Sequence, residues 1–232
     1  MSDPSAPFLD DLPPLDGPAP IGARDAPPGR RNARAILAAL RELVTDAANL
    51  ESGPATLLEI GSGPGLHAAA FADPLAPARW LPTDHATDNH ASILAWTDAI
   101  PVGRARPLPP RVLDASAPDT WPLDETESVR VIFSANVIHI APWSVALGLF
   151  DGAGRVLPKG GLLLLYGPFR RHGAFTGDGD AAFQEWLLSL DSRYGVRDLD
   201  GEVIPAAAAH GLVFDHTRSM PANNLMVVFR KA

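Results

Sequence analysis

The chain has 232 residues, 46% of them hydrophobic and 20% charged, which is ordinary globular composition and enough length for one α/β domain. A formal charge of −8 argues against nucleic acid as the main partner, because proteins that track phosphates need clustered lysine and arginine. The chain has no cysteine, which excludes disulfides, thiolate metal sites and a cysteine nucleophile, and suits the reducing cytoplasm where we expect the protein.

Residues 1–30 are rich in proline and lack apolar periodicity, which predicts a partly mobile N-terminal segment. The alternative is a flap over a cleft, docked through a group of apolar side chains: Phe8, Leu9, Leu12 and Leu15. We expect neither a secretion signal nor a membrane span, because no long apolar run follows a basic N-terminus. Residues 31–232 are predicted to form a single domain.

From Asn32 onward, short apolar runs alternate with stretches of helical spacing. The predicted strands are 55–60, 79–83, 108–113, 129–134, 161–166, 212–216 and 225–230. The predicted helices are 32–49, 66–72, 89–99, 143–156, 180–190 and 201–209. This alternation predicts a doubly wound α/β fold, with a mostly parallel sheet between two helical layers. The prolines around 107–110 count against the strand at 108–113, since proline cannot donate to a ladder.

The last two strands have no helix between them, so they are predicted to be antiparallel neighbours. Gly211 directly follows the predicted helix 201–209 and fits a C-terminal cap. A sheet that binds NAD is normally all parallel, whereas a sheet that binds S-adenosylmethionine (SAM) ends in an antiparallel hairpin. The hairpin at 212–230 therefore favours SAM.

A glycine-rich turn follows the first strand, in the sequence Glu59-Ile60-Gly61-Ser62-Gly63-Pro64-Gly65. Glycine tolerates positive φ and lets backbone approach a ligand closely, and such turns bind nucleotides beyond the strand ends of doubly wound sheets. A dinucleotide fingerprint would place its last glycine at Leu66, whereas glycine at every second position is usual in SAM-binding turns. The predicted cofactor contacts here are Glu59, Gly61, Ser62, Gly63 and Gly65, and the alternative is a tight turn without a ligand.

Three further residues are predicted to contact the cofactor. Asp84 ends the second strand about 20 residues past the turn, where a carboxylate can accept both ribose hydroxyls. Asp114 follows the third strand and is a candidate acceptor for the adenine amino group. His67 opens the helix after the turn and is placed to reach the methionine end of SAM. The alternatives are a helix cap or turn role for Asp84 and an ordinary helix position for His67.

Several segments together resemble one family. They are Arg31-Asn32, Leu58-Glu59-Ile60-Gly61-Ser62-Gly63 with His67-Ala68, Pro82-Thr83-Asp84, Asn136-Val137-Ile138-His139-Ile140, Tyr166-Gly167-Pro168-Phe169, Gly195-Val196-Arg197-Asp198 and Met220-Pro221-Ala222-Asn223-Asn224. The chain is similar to the poorly characterised methyltransferase-like family that includes methyltransferase-like protein 26. The resemblance spans about 31–230 and implies a seven-stranded SAM-methyltransferase fold, without a substrate. The chain departs from the family at Pro64 and Leu66. It also departs at Gly179-Asp180, where the family often has Ser-Asn.

The methyl group of SAM is already activated, so the protein must mainly position the acceptor and exclude water. His139 is the candidate catalytic residue, because it follows the fourth strand and an unperturbed imidazole titrates near neutrality. A contact to substrate is favoured over general-base catalysis, and a role in ordering the loop is the alternative. Asn136 is the second candidate, orienting cofactor or substrate or else capping a turn.

The remaining candidates are predicted to contact the substrate. They are Arg31, Asn32, Tyr166, Phe169, Arg170, Asn223 and Asn224. Phe169 is predicted to form an apolar wall, and Arg170 to bind an anionic group, although exposed arginines are commonly just solvated. The seven histidines show no metal-ligand spacing, so no metal site is predicted.

These patterns favour a SAM-dependent methyltransferase that acts on a small molecule. A non-catalytic SAM-binding sensor or scaffold is an alternative, kept open by the departure at Gly179-Asp180. An NAD(P)-dependent oxidoreductase is a further alternative, against which the spacing at Leu66 counts. The oligomeric state cannot be predicted from these patterns.

Overall fold

The structure, a computed structural model, describes residues 17–48, 55–123 and 127–232. Its strands are β1 (Thr56–Ile60), β2 (Arg79–Asp84), β3 (Arg111–Val112), β4 (Val129–Ala135), β5 (Leu162–Gly167), β6 (Leu212–Met220) and β7 (Asn224–Lys231). Its helices are α1 (Pro27–Ala48), α2 (Leu66–Phe71), α3 (Thr87–Asp98), α4 (Trp143–Val156), α5 (Asp180–Leu190) and α6 (Ile204–Ala208). The predicted docking group Phe8, Leu9, Leu12 and Leu15 lies outside the described residues.

The strands form one seven-stranded sheet in the order β3-β2-β1-β4-β5-β7-β6. β2 is parallel to both β1 and β3, and β4 is parallel to β5. β7 runs antiparallel to both β5 and β6. The predicted α/β sheet, mostly parallel with a C-terminal antiparallel hairpin, is therefore confirmed.

Two compact units follow one another along the chain, the first ending at Val112 and the second starting at Leu113. Every residue of β1 in the first unit and of β5 in the second is buried. Strands covered on both faces read as continuous apolar runs, which is why both were recognisable in the sequence.

Four elements differ from the prediction by more than two residues or in type. α1 begins at Pro27 rather than Asn32, because proline is tolerated in the first helical turn, where its missing N–H would have no partner. β3 has only two residues, because neighbouring prolines cannot donate to a ladder, although the Leu108 N–H still donates to the Trp80 carbonyl. The predicted end of the first helix near Asn49 lies just past the described residues, which end there at Ala48.

The other two differences lie near the C-terminus. The predicted helix 201–209 is a π-helical turn, Leu199–Val203, followed by α6, with Pro205 in the first turn of α6. β6 continues to Met220 rather than ending at 216, with a bulge between Phe214 and His216. β6 is an edge strand with several exposed polar residues, so apolar alternation could not reveal its full length.

Within the described residues, every helix is too short or too polar to span a bilayer. The same residues contain no cluster of three or more His, Asp or Glu side chains arranged to hold a metal ion.

Candidate functional site

The glycine turn in the first unit has the backbone that its sequence predicts. Gly61, Gly63 and Gly65 all have positive φ, at 73°, 54° and 98°. A Cβ on Gly65 would lie 2.7 Å from the Ile93 Cα, so this position must be glycine for the turn to pack on α3. A Cβ on Gly63 would meet nothing within 4 Å. Gly63 is therefore the point of the turn with open space beside its backbone.

The buried carboxylate of Glu59 holds the glycine turn in shape. Glu59 Oε2 accepts hydrogen bonds from the Ser62 hydroxyl, at 2.6 Å, and from the Trp80 indole N–H, at 2.9 Å. His67 Nδ1 lies 3.7 Å from Glu59 Oε1, and the His67 ring stacks on Phe71. Ser62 Oγ also accepts from the Thr83 N–H. The side chains of Glu59 and Ser62 thus brace the turn, and sequence reasoning had no signal for Trp80.

Asp84 lies at the end of β2 beside the turn. It is 4% exposed, and its Oδ2 accepts a hydrogen bond of 2.8 Å from the Gly63 N–H. Its Oδ1 accepts from the Ala86 N–H at 2.9 Å. The carboxylate therefore lies next to the open backbone of Gly63, and each oxygen retains a lone pair for a further donor.

The segment before α1 packs against α3. The Arg24 N–H donates to Ser92 Oγ, which itself donates to the Pro64 carbonyl in the glycine turn. The Trp96 indole N–H donates to the Arg24 carbonyl, and the Arg30 guanidinium lies over the Trp96 ring at 5.4 Å. The N-terminal segment around Arg24 is thereby joined to the glycine turn through Ser92.

Arg31 and Asn32 lie in the first turns of α1. Arg31 is exposed and Asn32 is half-buried. Gly29, just before them, approaches α2 closely, since a Cβ there would lie 3.3 Å from Leu66 Cδ2 and 3.5 Å from His67 Nε2. The N-terminal end of α1 thus lies beside the helix that follows the glycine turn.

In the second unit, a tight turn follows β4. Asn136 has a φ of 62°, a conformation that asparagine tolerates better than most residues. Its N–H donates to the Tyr166 carbonyl on β5, and its carbonyl accepts from the N–H groups of His139 and Ile140. Asn136 therefore joins the β4 end to β5 and folds the following residues back on themselves.

His139 is completely buried in this turn. Its Nδ1 accepts a hydrogen bond of 3.4 Å from the Arg197 N–H. Nε2 has no hydrogen-bond partner among the described residues. Burial lowers the pKa of His139 from 6.5 to about 3, and the positive charge of Arg197 acts in the same direction. Burial therefore holds the imidazole in its neutral form, and its role stays a prediction.

Arg197 holds the His139 turn in place, and sequence reasoning gave it no role beyond the family resemblance. Its Nε donates to the Ile138 carbonyl at 2.9 Å, and its Nη2 donates to the carbonyls of Ala141 and Arg193. The guanidinium also lies over the Trp143 ring at 5.4 Å. A planar side chain with several fixed donors is needed to form hydrogen bonds with several carbonyls at once.

Tyr166 and Phe169 are both buried, at 2% and 0% exposure. The Phe169 ring packs edge-on against His139, with 4.9 Å between centroids. The Tyr166 hydroxyl has no hydrogen-bond partner among the described residues, and burial raises its pKa to about 12. Phe169 is an apolar wall for the imidazole itself, and Tyr166 carries a buried neutral hydroxyl.

Arg170 is engaged within the fold rather than solvated. Its Nε donates to the Val196 carbonyl at 3.0 Å, and its Nη2 donates to Glu202 at 3.4 Å. The adjacent Arg171 forms a two-point ion pair with Asp200, at 2.7 and 2.9 Å. Both arginines therefore brace the segment 196–202.

The hairpin asparagines have different roles. Asn223 Nδ2 donates to Asp180 Oδ2 and to Thr176 Oγ1, each at 2.8 Å. Asp180 is 5% exposed and also accepts from the Gly177 N–H, so it fastens the hairpin tip to the start of α5. Asn224 instead donates to the Pro221 and Ala222 carbonyls of its own turn. Asp180, where the chain departs from the family, thus has a structural role.

Asp114 lies beyond the short β3 rather than directly at its end. Its Oδ1 accepts from the backbone and hydroxyl of Ser116, at 2.8 and 2.6 Å, which closes a local turn. The side chain is exposed. Asp114 therefore has a turn role of its own, and its adenine contact stays a prediction.

The fold is similar to those of solved methyltransferases. An O-methyltransferase family 2 protein from Planctomyces limnophilus, in complex with apigenin, matches with a TM-score of 0.72 and 18% identity, over 89% of this chain and 58% of that one. Magnesium protoporphyrin IX methyltransferase from Synechocystis, with bound SAH, matches with a TM-score of 0.64 and 10% identity, over 98% and 95%. These likenesses show the class I SAM-methyltransferase fold.

The chain spans little more than half of several of these proteins. It covers 56% of the mitomycin 7-O-methyltransferase MmcR, which matches with a TM-score of 0.63 and 19% identity over 86% of this chain. A family model described as a protein of unknown function, DUF938, matches residues 23–231.

Proposed function

The chain belongs to the DUF938 family, and we propose that it is a SAM-dependent methyltransferase that acts on a small molecule. The observation that carries the proposal is the glycine turn with Asp84 beside it, on a sheet with the class I methyltransferase fold. The neighbours bound to apigenin and to SAH have that same fold and supply the analogy for substrate size and cofactor.

The first unit has the groups that SAM needs. The open side of Gly63 lets the cofactor approach the turn backbone, while Asp84 offers carboxylate oxygens to the ribose hydroxyls. Glu59 and Ser62 act from behind the turn by fixing its shape, with His67 beside them. SAM, when bound, supplies a methyl group already activated by its sulfonium. Gly61 and Gly65 keep the turn in its required conformation.

The second unit has the groups proposed for the acceptor. His139 and Tyr166 each carry a buried polar atom without a partner among the described residues, and Asn136 orders the turn between β4 and α4. Phe169 holds the His139 ring in place and keeps water away from it. These residues orient an acceptor by hydrogen bonding and exclude water, which is the main demand that methyl transfer makes on a protein.

The remaining predicted contacts stay proposals with different support. Arg31, Asn32, Asp114 and Asn136 are proposed ligand contacts on the strength of the sequence pattern, while Arg170, Asn223 and Asn224 have partners within the fold. Nε and Nη2 of Arg170 already donate to Val196 and Glu202, so a substrate contact would have to use its remaining donors. We also propose kinship with methyltransferase-like protein 26 and a cytoplasmic location, supported by the quoted segments and by the lack of cysteine.

Calorimetric titration with SAM, SAH and NAD tests the cofactor. We expect SAM and SAH to bind below millimolar concentration and NAD not to bind. Asp84→Asn should weaken SAM at least tenfold, about 1.4 kcal/mol, because the charge that accepts the ribose hydroxyls is lost. Asp88→Asn is the matched control, since Asp88 is exposed in the first turn of α3.

The titration also separates the alternatives. Binding of NAD without SAM would overturn the proposal in favour of an oxidoreductase. Binding of SAM without any methylated product, after incubation with labelled SAM and a cell metabolite extract, would favour a sensor or scaffold.

A further inference from the structure

The hydroxyl of Ser92, a buried residue of α3, joins two other segments of the first unit. Ser92 is 2% exposed, and its Oγ donates to the Pro64 carbonyl at 2.7 Å and accepts from the Arg24 N–H at 2.9 Å. A hydroxyl inside a helix commonly donates to a carbonyl one turn earlier in the same helix, as Thr97 does to Ile93 at 2.9 Å. Ser92 instead binds the glycine turn on one side and the N-terminal segment on the other.

The N-terminal segment extends along α3 towards the glycine turn. We call residues 20–26, which precede α1, the strap. A Cβ on Gly22 would lie 3.6 Å from the Ala95 Cβ, and the bond to the serine lies nearly one helical turn closer to the start of α3. Gly29, in the first turn of α1, then lies beside Leu66, the first residue of α2. The strap and the start of α1 therefore lead from the middle of α3 to the helix that follows the glycine turn.

Polar contacts hold the strap in place. The Trp96 indole N–H donates to the Arg24 carbonyl at 3.1 Å. The Asp25 carboxylate accepts from the Arg30 Nε at 2.6 Å, which keeps that guanidinium over the Trp96 ring. Ile21, the only large aliphatic side chain of the strap, is fully exposed. Because a segment with few buried apolar contacts opens at a much lower free energy than the whole fold, the strap can open while the first unit stays folded.

The glycine turn, by contrast, is packed directly on α3. A Cβ on Gly65 would lie 2.7 Å from the Ile93 Cα, so the turn closely approaches the residue next to Ser92. Gly63, with open space beside it, donates its N–H to Asp84. The carbonyl that Ser92 holds belongs to the residue between these two glycines. A ligand that fixes the Gly63 backbone therefore also fixes the acceptor of the Ser92 hydroxyl.

Resting on the proposed function, we propose that Ser92 couples the strap to the cofactor, so that SAM or SAH at the glycine turn favours the closed strap and the closed strap holds the cofactor more tightly. A hydroxyl that donates to the Pro64 carbonyl keeps its lone pairs turned towards the Arg24 N–H, and each bond strengthens the other. Such coupling is reciprocal: the closed strap must favour the cofactor by the same factor as the cofactor favours closing. Ser92 is thus a positioning residue, because it acts on the cofactor through the backbone of the turn.

Hydrogen–deuterium exchange of the full-length protein, with and without saturating SAH, tests the coupling through the peptide that contains the Arg24 amide. We expect SAH to slow exchange of this amide at least about fivefold, the lower end of usual coupling between sites. SAH that binds without slowing exchange in the strap would overturn the coupling and leave the proposed function standing. Failure of SAH to bind at all would overturn both.

Ser92→Ala removes both hydroxyl bonds while adding no bulk. The dissociation constant of SAH, measured by calorimetry, should rise at least about fivefold, and SAH should no longer slow exchange of the Arg24 amide. Thr97→Ala is the matched control, because it removes a hydroxyl of the same helix that donates to a carbonyl of that helix. The control should keep both the affinity and the protection of the wild type within about twofold. Full protection of the strap by SAH in Ser92→Ala contradicts the role of the serine.

Two further variants loosen the strap and leave the serine in place. Trp96→Phe removes the indole N–H that holds the Arg24 carbonyl, and Asp25→Ala removes the acceptor of Arg30 at an exposed position where folding is not at risk. We expect the dissociation constant of SAH to rise about fivefold in Trp96→Phe and about two- to threefold in Asp25→Ala. Wild-type affinity in both variants would show that Ser92 only braces the turn, and would overturn the coupling.

Discussion

Gly167 is the residue on which the position of His139 depends most directly. A Cβ there would lie 2.6 Å from His139 Nε2, 2.8 Å from its Cδ2 and 3.0 Å from Asn136 Oδ1. The two His139 atoms cannot yield easily, because the ring is packed against Phe169 and Nδ1 accepts from the Arg197 N–H. Adding one methyl group must therefore displace the imidazole or open the β5 end.

Gly167→Ala should lower the free energy of unfolding by about 1–3 kcal/mol, the usual cost of overpacking a rigid site. Urea unfolding measures this change, and the His139 imidazole signals should move with it. Gly179→Ala is the matched control, since a Cβ at Gly179 meets nothing within 4 Å and its φ is −84°. A variant as stable as the wild type would show that the residues around the end of β5 can move to accept the methyl group, contrary to what their packing indicates.

The buried imidazole also makes stability depend on pH. Folding lowers the pKa of His139 from 6.5 to about 3, chiefly through burial, so the unfolded chain binds the extra proton below pH 6.5. The free energy of unfolding therefore falls as pH falls from 6.5 towards 3, by about 2 kcal/mol between pH 7 and pH 5 for this group. Urea unfolding of His139→Gln at these two pH values should show a fall smaller by about that amount. An equal fall in the variant and in the wild type would contradict the low pKa of the buried imidazole.

Among the elements, α4 depends on small residues for its packing. Gly148 lies against the Ala115 carbonyl and Gly152 lies under the Trp121 ring, with no room for a Cβ at either position. The Trp121 indole N–H donates to the Asp114 carbonyl at 3.1 Å, so the ring is fixed from both sides. The loop between β3 and β4 is thereby seated on the helix, together with the turn that contains Asp114.

Gly152→Ala sets two effects against each other. Alanine favours a helix by about 1 kcal/mol over glycine, but overpacking costs about 1–3 kcal/mol. We expect a net loss of up to about 2 kcal/mol in urea unfolding, with a shifted tryptophan emission as the Trp121 ring moves. Ser144→Ala, at an exposed position of the same helix, is the control. Increased stability with unchanged emission would contradict the packing described.

The sequence predicted the elements best where burial leaves a pattern. α4 and α5 have the predicted bounds, and β1 and β5 differ by a residue or so, because buried apolar runs and helical spacing are visible along the chain. The start of α1 and the length of β6 were missed, because first-turn prolines and a polar edge strand leave no such pattern. Local rules thus identify buried elements more reliably than element ends.

At the scale of the whole molecule, only part of the candidate site could be predicted from the sequence, as was true of the elements. The position of Asp84 beside the glycine turn was predictable, because it follows from a short sequence spacing. The bracing of Glu59 by Trp80, of His139 by Arg197 and of Asn223 by Asp180 was not, because those partners are distant in sequence and meet only in the fold. The low pKa of His139 was missed for the same reason, since burial cannot be inferred from a single histidine in a chain.

A ligand that binds the folded state and not the unfolded state stabilises the folded state. If SAH is the natural occupant of the glycine turn, SAH at a hundred times its dissociation constant should raise the free energy of unfolding by about 2.7 kcal/mol. Each further tenfold increase in SAH should add about 1.4 kcal/mol, because the stabilisation grows with the logarithm of concentration. Denaturant unfolding over a SAH series, with NAD in parallel, measures this dependence. A flat response to SAH, or a logarithmic response to NAD, would contradict the assignment of the turn to SAM.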